Sequence, residues 1–127
     1  MDKENLKRLP IFNLAIMTVE TSGMLNSIQP WLTTVCEQVD NSRMSTDKKR
    51  QIQNKIAQVE VDAAKDAAGI IMETLTQEEM IALITFCSTE TGRSIVSKTQ
   101  PMLSHFLKSF SERFKIFQKD IRELALK

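Results

Sequence analysis

The chain has 127 residues, with 17 Lys and Arg against 16 Asp and Glu, a formal net charge of +1. That length suits one ordinary domain able to bury about two thirds of its unfolded surface, and a content of 42% apolar and 26% charged residues excludes a mainly disordered or collagen-like chain. Near neutrality argues against a protein devoted to nucleic acid; the dispersed Gly23, Gly69 and Gly92 form no phosphate-cradling loop, and one histidine with two cysteines cannot close a Cys/His zinc site.

The apolar run Leu9–Val19 is too short to cross a membrane, which takes about twenty residues. Asp2 and Glu4 dilute the positive start that a secretory signal needs, and Thr21-Ser22-Gly23 is a poor cleavage site, so the run is read as a buried helix. Ile11, Leu14, Ala15 and Thr18 line one face of it; Phe12, Ile16 and Val19 line another. Apolar on most sides, it is expected to be central, and Thr21-Ser22-Gly23 supplies its stop. Leu25, Ile28, Leu32, Val35 and Val39 form a second stripe, with a kink or restart expected at Pro30. After the polar turn Asp40–Thr46, Ser45 or Thr46 caps a helix of close to thirty residues. Its inner face reads Ile52, Ile56, Val59, Ala63, Ala67, Ile70 or Ile71, and Leu75. No stretch alternates with the two-residue period of a strand.

Leu75-Thr76-Gln77-Glu78-Glu79-Met80 is a complete helix start. Thr76 and Glu79 can exchange capping hydrogen bonds, and Leu75 and Met80 occupy the positions of a hydrophobic staple. Ser88-Thr89-Glu90-Thr91-Gly92-Arg93 then reads as an elbow between helices, with Gly92 permitting close packing. From Pro101, suited to a first helical turn, the positions Leu103, Leu107, Phe110, Phe114, Phe117, Ile121 and Leu124 step by four and three. This seam is assigned to the core, against the Ile52–Leu75 helix. Phe106, Ile116 and Leu126 lie outside the seam and are the candidate contact to a second copy or partner.

The segment Leu75-Thr76-x-x-Glu79-Met80-x-x-Leu83-Ile84-x-Phe86, followed by Ser88-Thr89-x-x-Gly92-Arg93-x-Ile95-x-x-Lys98-x-x-Pro101, resembles the core motif of the domain of unknown function 2059 family. The sequence departs from that pattern at Cys87, where the family favours Tyr, at Glu90, where it favours Pro, and by one extra residue between Lys98 and Pro101. The resemblance implies a small all-helical bacterial protein with no established activity, usually exported to the periplasm. It marks Leu75, Thr76, Glu79, Met80, Phe86, Thr89, Gly92, Lys98 and Pro101 as the structural motif, within residues 75–101.

No nucleophile, base and orienting group can be assembled from these residues. His105 stands away from the seam and reads as a surface histidine. Cys36 and Cys87, both within helical patterns, read as buried thiols. No Glu-x-x-His supports a di-iron site, and no catalytic, metal or cofactor residues are assigned. Glu60 to Glu90 carries seven acids against one base, a net of −6. Arg93 to Lys127 carries eight bases against three acids, a net of +5. The basic segment is read either as a helix for an anionic surface or, preferred because its aromatics are not interleaved with its bases, as the partner of an acidic helix in the same bundle.

The expectation is therefore an all-α, single-domain (1–127) antiparallel bundle or array of five to six helices, without transmembrane segment or nucleic-acid partner. The leading function is a non-enzymatic, envelope-associated module that binds another protein or its own copy. The alternative is a carrier holding an apolar or lipid-like ligand in a cleft between helices lined by Met and Phe.

Overall fold

The computed structural model describes residues 2–127. Its helices are α1 (Lys3–Lys7), α2 (Ile11–Thr21), α3 (Gln29–Asp40), α4 (Thr46–Thr74), α5 (Gln77–Cys87) and α6 (Glu90–Ala125), with a 3₁₀ turn at Met24–Ser27; no strand occurs among the described residues. The all-α expectation holds. The chain divides into two compact units, residues 1–96 and 97–127.

In the first unit, α2 packs against both α4 and α5, α1 against α5, and α3 against α4. The central place expected for α2 follows from its composition: Leu14, Ala15, Thr18 and Val19 are all buried, whereas its first turn, with Ile11 and Phe12, and Glu20 near its end are exposed. Buried Thr18 costs little, because its hydroxyl donates to the Leu14 carbonyl at 2.8 Å and leaves no unpaired donor. The helix stops where expected. Ser22 caps it, and Gly23 takes a left-handed φ of +70° that only glycine adopts without strain.

The restart at Pro30 also holds, since that proline lies in the first turn of α3, where its missing N–H is no loss. Ser45 is the cap of α4 and accepts from the Lys48 N–H. Along α4, Ala67, Ala68 and Ile71 are buried, Ile52, Ile56 and Ala63 are half-buried, and Val59 and Ile70 are exposed. Of the two alternatives Ile70 and Ile71, the core therefore takes Ile71. The alanines present little side chain, which lets α2 approach closely at that level. One core cluster unites Leu6, Leu14, Ala15, Val19, Ala67, Ala68, Ile71, Met80, Ile81 and Ile84.

Two expectations about the C-terminal region are corrected. No new helix starts at Pro101; this proline lies inside α6. Thr89 starts that helix, residues 93–100 contain neither glycine nor a turn signal, and one proline in 36 residues removes a single backbone donor without ending the run. Secondly, the seam is not core. Its seven residues are 45–63% exposed, because their spacing makes one side of the helix apolar without supplying anything to cover it.

Candidate functional site

Two features of the sequence reading become concrete geometry: the motif around α5 and the apolar face of α6. At the start of α5 the Thr76 hydroxyl accepts from the Glu79 N–H at 3.1 Å, and the Glu79 carboxylate accepts from the Thr76 N–H at 2.8 Å. The backbone hydrogen bond from Thr76, and then its side-chain bond, hold the Glu79 carboxyl below the ordinary glutamate range. Met80 enters the core cluster and Leu75 packs against it, as a staple requires. Thr76→Ala is expected to lower stability by about 1 kcal/mol at neutral pH. Since the folded-state pKa of Glu79 is depressed, its contribution is full above the unfolded carboxylate range and is lost as pH falls through the folded value. Urea melts at neutral pH measure the loss. Coincident midpoints at neutral pH would place the helix start elsewhere.

At the elbow, Ser88 caps α5 and Thr89 turns the chain. The Thr89 hydroxyl accepts from the Gly92 N–H at 2.9 Å and donates to the Phe86 carbonyl at 2.7 Å. The Arg93 guanidinium donates to the Ser88 carbonyl. Gly92 is buried, directly against the backbone of Phe86 and Cys87. The Phe86 ring is exposed, so this motif position serves the elbow through its carbonyl. Burial pushes the Cys87 thiol above its ordinary pKa, which disfavours the nucleophilic thiolate; Cys36 is half-buried, and both cysteines are free. The motif residues from Leu75 to Gly92 thus act together as a structural joint. Lys98 and Pro101, in the second unit, are exposed.

The second unit consists of the later turns of α6. Phe106, Phe110, Phe114 and Phe117 run along it as a ladder, with successive ring centroids 6.4, 5.9 and 6.1 Å apart. Phe110, Phe114 and Phe117, with Arg113 at their edge, line an open hollow of about 370 Å³. Phe106, separated from the seam by the sequence reading, is joined to it by stacking on Phe110. Ile116 and Leu126 are exposed, and at 3.6 residues per turn they fall on the polar side. Lys115 and Glu112 form an ion pair at 3.6 Å on that side. Among the described residues no helix is long and apolar enough to cross a membrane, and no three His, Cys, Asp or Glu side chains gather as a metal site would need. The spacing of the seam was legible in sequence; its exposure was not.

Residues 62–114 match the family described as "Uncharacterized protein conserved in bacteria (DUF2059)", a match that covers the whole motif and the first half of the phenylalanine face. No curated protein and no solved structure matches the chain.

Proposed function

We infer that this chain, whose residues 62–114 match the DUF2059 family, is a non-enzymatic, envelope-associated contact module. Its working surface is the phenylalanine face of α6. One observation carries this reading: a continuous row of large apolar side chains, 45–63% exposed, on a chain that is otherwise able to bury a core. Exposed apolar surface of that extent marks interaction sites. The hollow at Phe110 and Phe117 lies on one helix, which suits a surface contact better than a ligand held between helices. The hollow between α3 and α4, lined by Cys36, Val39, Asp40, Gln53 and Ile56, is only about 140 Å³, below the roughly 300–1,000 Å³ of ligand pockets.

Photo-crosslinking in the native host tests the reading. A benzoylphenylalanine at Phe117, on the face, is expected to give adducts with a protein, a second copy or lipid. The same group at Glu112, on the polar side, is expected to give few. Equal yields at the two positions, or none at Phe117, would overturn the assignment.

A further inference from the structure

We propose that the phenylalanine face of α6 docks on an anionic lipid surface, with the helix lying in the interface and not spanning it. This proposal rests on the contact reading above and names its partner.

The charge arrangement carries it. Residues 97–127 hold seven bases (Lys98, Lys108, Arg113, Lys115, Lys119, Arg122, Lys127) against Glu112, Asp120 and Glu123, a net of +4. At 3.6 residues per turn, Arg113 borders one edge of the apolar face, where it lines the phenylalanine hollow, and Arg122 lies past the other edge, beyond Gln118 and Ser111, while Lys115 lies on the polar side. Glu112 and Glu123 fall near the opposite pole. Arg113 and Arg122 reach the level of lipid headgroups, their aliphatic stems continuing the apolar surface, while Lys108, Lys115 and Lys119 share the polar side with Glu112 and Glu123, and Asp120 lies near Arg113. A strongly two-sided helix of low mean hydropathy, with Phe and Leu on one face and Lys and Arg on the other, is the pattern of an interfacial anchor. From residue 102 to 125 the helix runs about 36 Å at 1.5 Å per residue, enough to lie along a surface.

A second copy fits less well. Joining two such segments face to face brings together two units of net +4. Ser111 and Gln118 stand beside the seam where opposite charges would select a partner helix. The phenylalanine rings already stack on their own neighbours, a bulky surface for a close two-stranded coil.

Vesicle co-sedimentation of the full chain decides the matter, with phosphatidylglycerol-containing vesicles against pure phosphatidylcholine. The parent is expected to prefer the anionic vesicles, and to lose that preference as salt is raised and the Debye length shortens. Arg113→Gln and Arg122→Gln should each weaken binding about fivefold. Both arginines are exposed, and circular dichroism with the denaturant midpoint verifies that both variants stay folded. Phe110→Ser combined with Phe117→Ser should abolish binding to either vesicle. Equal binding to both vesicle types, or none, would overturn the lipid assignment. Self-association in sedimentation velocity without vesicle binding would give the face to a second copy, and the crosslinks at Phe117 would still stand. Failure of those crosslinks would remove the contact reading itself.

Discussion

Gly92→Ala is expected to destabilise the protein severely, although alanine is the better helix former. A Cβ built at Gly92 would overlap the Phe86 carbonyl oxygen, and would lie 2.7 Å from the Phe86 carbonyl carbon and 2.9 Å from the Cys87 Cα. All three atoms are backbone, so no rotamer change relieves the clash and the elbow must open. Overpacking costs roughly 1–3 kcal/mol and occasionally more; the upper end applies where backbone has to move. The gain in helix propensity, about 1 kcal/mol, offsets only part. Opening the elbow also separates the Gly92 N–H from the Thr89 hydroxyl and strains the bond from that hydroxyl to the Phe86 carbonyl. Gly92→Leu should be worse. Equilibrium denaturation measures both, and a Gly92→Ala midpoint equal to that of the parent would show that α5 and α6 do not meet this closely.

Leu14→Ala is expected to lower stability by about 2–5 kcal/mol, the cost of a cavity in a packed core. Leu14 is completely buried, in the cluster that joins α1, α2, α4 and α5. Because neighbours from several helices surround it, the cavity cannot close by shifting one element. Urea unfolding should show a lower midpoint with an unchanged slope. A loss below about 1 kcal/mol, the usual range for surface positions, would place Leu14 outside the core.

The contrast between these residues and the α6 face shows what a single sequence reveals. Helix positions were legible wherever a stop or cap accompanied the period: Gly23 after α2, Pro30 at α3, Ser45 before α4, and the Thr76–Glu79 box before α5. Those signals act through neighbours within one turn. The five-residue α1 was missed because it is too short for a period, yet Asp2 caps it by accepting from the Asn5 N–H at 2.9 Å, and Leu6 is fully buried. The side chain of Gln77 donates to the Lys7 carbonyl at 3.3 Å, tying α1 to α5 by a contact no local pattern reveals. At Pro101 the local rule misled. Proline suits a first turn, but a helix already capped at Thr89 tolerates one missing donor. The phenylalanine seam misled differently: periodicity marks which side of a helix is apolar and is silent on what meets it. Of the candidate contact residues, Phe106 belongs with that face through its stacking on Phe110, whereas Ile116 and Leu126 lie on the charged side.

The central claim, that the α6 seam is a contact surface and not part of the core, is tested most directly by the stability of Phe114→Ala. The ring is 45% exposed and touches its own helix neighbours Phe110 and Phe117, so the loss should be about 1 kcal/mol or less, with the whole chain still folding. A loss of about 3–5 kcal/mol, the cost of truncating a buried phenylalanine, would put the seam back in the core and contradict the account.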